Sequence, residues 1–443
     1  MKKTLFIALA ALMCGCVVQP VDPDDTKVSE EEQIKVTFPR PETQLTKVDL
    51  NTTEQGYVDA GNKMAFKFLE QMYEGKNLIL SPLSLQYALA MAANGASGQT
   101  LQEIIDFLGY GKEGVAALNA YSKKMLEQLP AVDLGVTLKL TDAILVNNQL
   151  QLLPDFKSTI EKNYYAAVES MDFSDPAKVA ARVNDWASRS TDGFIDKVLE
   201  KSDISPETVA LIMNALYFKA KWAGSEHSPM FMEEATEEDT FDLGDGSKKK
   251  IPFMNNMRYH RYAEMDGYKV LALPYAGEKF FMYILLPDDN KIDALIKKLP
   301  GISWRDLTSS FKTDAEVYLK LPKFEVNDDS YVLNKALQAM GVKKAFQEGK
   351  AEFDSMFDPK SSAGMDFWIN KVIQKARISV AEWGTEAAAV TVVAVDGAMS
   401  PGPGPKRVDF YCDHPFVFVI GEATSGTILF NGVFSGRSEL IPE

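Results

Sequence analysis

A nucleophile, an acid–base pair, a metal cage and a phosphate cradle each demand set residue types at set spacings, and this 443-residue chain offers few of them. Its three histidines, His227, His260 and His414, lie far apart with no second ligand at metal-binding spacing. Ser247-Lys248-Lys249-Lys250 matches the Ser-x-x-Lys interval of an acylating pair, but it follows Gly244-Asp245-Gly246 and reads as a polar turn. Gly109-Tyr110-Gly111-Lys112-Glu113-Gly114 has dinucleotide-type glycine spacing, yet it follows the helix-patterned Leu101 to Leu108 where such a turn needs a strand. No Gly-x-Ser-x-Gly occurs. Glu233-Glu234 with Glu237-Glu238-Asp239 lacks the glycine of a calcium loop and reads as solvated surface. Enzyme chemistry finds no constellation here, and nothing calls for a cofactor or a metal.

One stretch is suited to being cut. Ala387 to Val395 is a run of nine uncharged residues, all small or β-branched, as a strand prefers. It runs straight into Asp396-Gly397-Ala398-Met399-Ser400-Pro401-Gly402-Pro403-Gly404-Pro405, where Pro and Gly forbid regular pairing. In a strand, Thr385, Ala387, Ala389, Thr391, Val393 and Val395 would share one face, and Glu386 and Asp396 the other. One face is fit for burial and the charges all fall on the opposite one. An exposed linker has no need of that partition; an arm that enters a sheet does.

The string Glu382-Trp383-Gly384-Thr385-Glu386-Ala387-Ala388-Ala389 resembles the reactive-loop hinge of the serpins, protease inhibitors that insert a loop into their own sheet. Other blocks resemble the family in its order. Asn77 to Ser84 continues through Ala88 to Met91 and Gly95 to Thr100; Asn214 to Trp222, Leu319 to Phe324, Met340 to Val342, Ala351 to Phe353, Lys371 to Ala376, Asp413 to Phe418 and Leu429 to Gly432 follow. The resemblance spans roughly residues 56–435. It implies an α+β fold with a large mixed β-sheet, two smaller sheets, surrounding helices and an exposed reactive loop at about 383–407. It also implies that Ser81, Ser84 and Asn214 meet beneath the main sheet where it parts, with Trp222 nearby and Gln374 where many members have histidine. An amide can donate and accept there. Trp383 departs from the charged residue common at that position, and an aromatic packed on the sheet top accounts for it.

Periodicity agrees with a mixed fold. Tyr57 to Met72 has helical spacing, Leu83 to Ala93 is a nearly all-apolar helix, and Val332 to Met340 is helical again. Val136-Leu138-Leu140 and Val317-Leu319-Leu321 alternate as strands, Leu211 to Phe218 reads as a buried one, and Ala423 to Gly426 splits a final pair. Ser81-Pro82 is a helix start. Strands and helices mix irregularly, and no Pro/Gly-rich linker divides residues 56–443, so one domain is expected.

The N-terminus reads differently. Lys2-Lys3 followed by Thr4 to Met13 is a basic then apolar export signal, with Gly15-Cys16 as a lipoprotein cleavage site. Residues 1–15 would be removed, Cys16 lipidated (Cys14 being the weaker rival), and residues 16–55, acidic and aperiodic, would be a solvated tether. That places the protein at the outer membrane or cell surface of a Gram-negative bacterium, touching membrane only through its lipid anchor. Removing two lysines takes the net charge from −15 to −17 (−15 minus 2), unsuited to nucleic acid. Heparin-type cofactors are not expected either, since Val115 to Leu129 offers only Lys123-Lys124. Cys412 is left without a disulfide partner and reads as a core filler.

The resemblance implies a monomeric suicide inhibitor of a serine endopeptidase. The protease attacks the loop, forms an acyl-enzyme, and is dragged as roughly 14 arm residues at about 3.3 Å each enter the sheet, some 45 Å in all. Family spacing puts the scissile bond at Ala398-Met399, or Met399-Ser400 one residue on; the side chains favour elastase-like or subtilisin-like proteases. Trypsin is expected to cleave at Lys406-Arg407 without being trapped. The alternatives are a non-inhibitory member acting as a binding or chaperone-like envelope protein, and an inhibitor of papain-like cysteine proteases.

Overall fold

A computed structural model describes residues 3–12, 33–205, 207–225, 228–312, 315–327, 330–385 and 406–437. His227, Cys16, Glu386, Ala387, Ala388, Ala389 and the candidate bonds at Ala398, Met399 and Ser400 lie outside the described residues, as do residues 16–32 of the tether.

Three sheets organise the molecule. The largest has nine strands and is built around Thr208–Lys221, a fourteen-residue strand buried along almost its whole length. Burial on both faces explains why this strand is apolar continuously and not alternately. Thr137–Asn147 pairs with it antiparallel on one side, and Ala167–Met171 extends the sheet beyond. On the other side stand Met365–Gln374 and Arg377–Ala381, with Phe324–Asn327 and Tyr331–Val332 at the margin. A six-stranded sheet contains the final pair Phe416–Glu422 and Ile428–Phe434, and a four-stranded sheet contains Ala315–Pro322 and Lys406–Tyr411.

The helix Pro82–Gly95 lies between sheets. Ser81 caps it by accepting from the Ser84 N–H, and Pro82 takes the first helical position, where the missing N–H costs nothing. Its residues are buried on nearly every side, as an all-round apolar helix must be. Cys412 is fully buried and burial pushes its thiol well above the usual range, so it fills space and does not react.

The N-terminal part differs from the sequence-based expectation in two ways. The apolar run read as an export signal forms strand Lys3–Leu12, parallel to both neighbours between Thr208–Lys221 and Met365–Gln374. Small and branched residues that make an export segment also satisfy a sheet. Secondly, residues 33–50, expected to belong to a solvated tether, lie along the folded body. Ile34 is fully buried and its carbonyl accepts from Arg189 Nη2 at 2.7 Å; Val48 is buried as well, and Leu45 N–H donates to Ala131 O at 2.8 Å. The acidic average of this segment hid five apolar residues, Ile34, Val36, Leu45, Val48 and Leu50, that pack on the core.

Candidate functional site: the sheet-entry hinge

Strand Arg377–Ala381 ends in the turn Glu382-Trp383, and the chain doubles back as Gly384–Thr385. Gly384 pairs with Ala381 on one side and Lys221 on the other; Thr385 pairs with Val380 and Ala220. The arm has therefore begun to enter the sheet. Gly384 has φ +152, and a Cβ built there would stand 2.1 Å from Ala220 O, so only glycine fits this approach. Thr385 is 3% exposed and faces inward, its Oγ1 2.6 Å from Tyr275 Oη. Tyr275 stacks on Trp222 with ring centroids 4.7 Å apart, and Trp222 Nε1 donates to Ala381 O at 2.8 Å. Trp222 N–H also donates to Trp383 O, tying the turn to the central strand, while the Trp383 side chain is half-buried.

Glu382 closes the hinge electrostatically. Burial opposes its ionisation, but hydrogen bonds from Lys323 Nζ, its own backbone and Thr236 Oγ1 hold the carboxyl below the usual range. The acidic residue at the hinge start thus ties the turn to Lys323 and Thr236.

Below Thr385, no described strand lies beside Leu216 to Lys219 on this edge of the central strand. A mostly apolar cavity of about 10 Å³ lies between Leu216, Tyr217 and Phe218 of the central strand and Arg377 and Ile378 across the slot. Thr385 forms part of its lining. The N-terminal strand approaches from the other end, its last pair being Leu12 with Ala215. One edge of the central strand therefore carries the hinge at one end and the N-terminal strand at the other, with no described strand beside Leu216 to Lys219 between them.

The expected polar cluster is divided. Gln374 meets Ser81 twice: its Oε1 accepts from Ser81 N–H at 3.2 Å and its Nε2 donates to Ser81 O at 2.8 Å. Ser81 Oγ donates to Leu429 O, and Ser84 Oγ has no partner among the described residues. Asn214 does not reach the serines; its Nδ2 donates to Asp142 Oδ1 at 2.9 Å. The cause is the intervening strand. Ala11 pairs with Asn214 on one side and with Gln374 on the other, which sets those two about 9–10 Å apart, two strand spacings.

With the geometry described, the comparisons with known proteins decide the family. A sequence model described as "Serpin (serine protease inhibitor)" matches residues 59–436. The chain belongs to the serpin family. An uncharacterized serpin-like protein of Thermococcus kodakarensis is 30% identical over 441 residues, 98% of each chain. The native thermophilic serpin tengpin superposes with a TM-score of 0.76 at 28% identity, over 90% of this chain and 97% of its own. The cleaved Serpin 42Da gives a TM-score of 0.75 at 25% identity, over 88% and 100%. The α+β serpin fold is thus shown, and serpins are generally serine protease inhibitors.

Two details of this serpin's site depart from the sequence reading. The reactive loop is narrower than 383–407, since both ends belong to sheets. Lys406 and Arg407 pair with Ala315 and Glu316 in the four-stranded sheet, and Arg407 Nε lies 3.3 Å from Glu316 Oε2. A protease needs an unpaired extended backbone, so simple trypsin cleavage at Lys406-Arg407 is not expected. The reading also missed Tyr275 and Asp142. Nothing local marks Tyr275, but Asp142 stands out as the lone acid in Leu138 to Val146.

Proposed function

We propose that this serpin is a suicide-type inhibitor of serine endopeptidases, elastase-like or subtilisin-like, cleaved at Ala398-Met399 and trapped by loop insertion. The observation that carries this reading is the hinge: Gly384 and Thr385 already pair as sheet strand, Thr385 faces inward, and no described strand lies beside Leu216 to Lys219 directly beneath. The Thr385–Ala220 register supports the cleavage site. Continued residue by residue, the arm would use the twelve positions from Lys219 back to Thr208 and bring Gly397 opposite the strand's first residue. The central strand ends where the arm would, one residue before Ala398. Twelve residues at about 3.3 Å each would carry an attached protease some 40 Å.

Insertion competes with deacylation, and protease turnover is around 1–1000 per second. Ala387 and Ala389 would enter without bulk or charge. In this reading the chain is a monomer exported as a lipoprotein through Cys16, and loss of residues 1–15 takes Lys3–Leu12 out of the slot. The test mixes the processed protein with elastase and separates the products on a denaturing gel. A complex that survives boiling is expected. Complete cleavage without a complex would instead support a non-inhibitory binding role.

A further inference from the structure

Asp142 and Asn214 are cross-strand partners on Thr137–Asn147 and Thr208–Lys221, and both are fully buried. Asn214 Nδ2 donates to Asp142 Oδ1 at 2.9 Å. The other two polar atoms of the pair, Asp142 Oδ2 and Asn214 Oδ1, are buried with no hydrogen-bond partner among the described residues. Both are acceptors when the carboxyl is ionised. A buried anion and an orphaned amide oxygen on two side chains joined by one hydrogen bond form a costly arrangement. One proton removes both faults: placed on Asp142 Oδ2, it supplies the donor that Asn214 Oδ1 lacks.

We infer that Asp142 is held as the neutral acid and closes a two-point acid–amide pair with Asn214, making it the positioning residue for Asn214 in the strand-filled sheet. The surroundings agree. Tyr87 from helix Pro82–Gly95 and Tyr164 from helix Pro154–Tyr164 lie within electrostatic reach of the carboxyl, and Tyr121 of helix Gly114–Gln128 within reach of Tyr87. Burial keeps all three phenols neutral, and no cation among the described residues pairs with Asp142. Burial pushes the carboxyl from its ordinary 3.8 up to about 7, the hydrogen bond from Asn214 offsetting only part of that. The pair gives Asn214 a resting place when a strand parts it from Gln374 and the serines. Since Lys3–Leu12 stands between Asn214 and Gln374 in the full chain, the inference stands apart from whether the loop inhibits a protease.

The sign follows from proton count. The folded chain keeps a proton that the unfolded chain loses above about pH 4, so Asp142's contribution to stability falls as pH rises from 3.8 to about 7 and is flat beyond. His414 acts in the same direction: burial alone would lower it, but Asp413 and the Pro287 carbonyl raise it. Comparing the full chain with D142N cancels that contribution.

The experiment labels aspartate carboxyl carbons with ¹³C in the full chain and follows them by NMR from pH 4 to 9, alongside thermal unfolding. One carboxyl is expected to titrate near neutrality and vanish in D142N, and the fall in Tm between pH 4 and 8 is expected to shrink in D142N. Should D142N fail to fold, the protonated-carboxyl infrared band of the wild type replaces it: present at pH 5, lost at pH 9. Absence of any aspartate titrating above pH 5.5, or of that band, overturns the inference. So does a late-titrating signal that persists in D142N.

Discussion

On the proposed mechanism, Thr385→Arg is expected to turn this serpin from an inhibitor into a substrate. The wild type is expected to consume about one molecule per protease trapped, whereas the variant is cleaved with little or no complex. Thr385 is almost fully buried against Tyr275, so an arginine there must either bury an unpaired guanidinium or hold the arm's root out of the sheet. An uncompensated buried charge costs about 3–5 kcal/mol. At about 1.4 kcal/mol per factor of ten, that slows insertion at least a hundredfold, enough for deacylation to win. Thr385→Ser keeps the hydroxyl facing Tyr275 and is expected to keep most of the inhibition. The check is the stoichiometry of inhibition with elastase, together with circular dichroism to show that both variants fold. Unchanged trapping by Thr385→Arg would mean that the hinge does not lead the insertion.

The second large effect concerns the N-terminus. A chain that retains residues 1–15 is expected to be a poor inhibitor, and one beginning at Cys16 an efficient one. Lys3–Leu12 pairs from Phe6 to Leu12 with the central strand and from Lys3 to Ala11 with Met365–Gln374, which is the ground the arm must occupy. A tethered strand acts at an effective concentration in the millimolar range, so it is not displaced merely by dilution. We expect at least a tenfold difference in the fraction of protease trapped, measured with a cleavage-blocked Gly15 variant against the trimmed chain. Equal trapping by the two would show that the N-terminal strand leaves the slot freely.

Much of this arrangement is legible in the residues, and what is not has identifiable causes. The continuous apolar run Leu211 to Phe218 and the all-apolar helix after Ser81-Pro82 declare themselves, because double-sided burial leaves no polar period to confuse. The inward face of Thr385 follows from simple alternation along a strand. Asn214's partner does not follow, since Asp142 lies 72 residues away and only strand register brings the two together. The packed segment around Ile34 escaped because a few scattered apolar residues make no period. Lys406-Arg407 escaped for a related reason: charged residues next to a Pro/Gly run look like loop, although their backbones pair with Ala315 and Glu316.

The most direct measurement compares the melting temperature of the processed protein before and after its loop is nicked. The severed arm is expected to continue the Thr385 register down the central strand and complete the sheet. Nicked protein should then melt well above intact protein, by some tens of degrees if about a dozen residues gain pairing and burial on both sides. Equal melting temperatures, or a lower one after cleavage, would contradict insertion and with it the trapping mechanism.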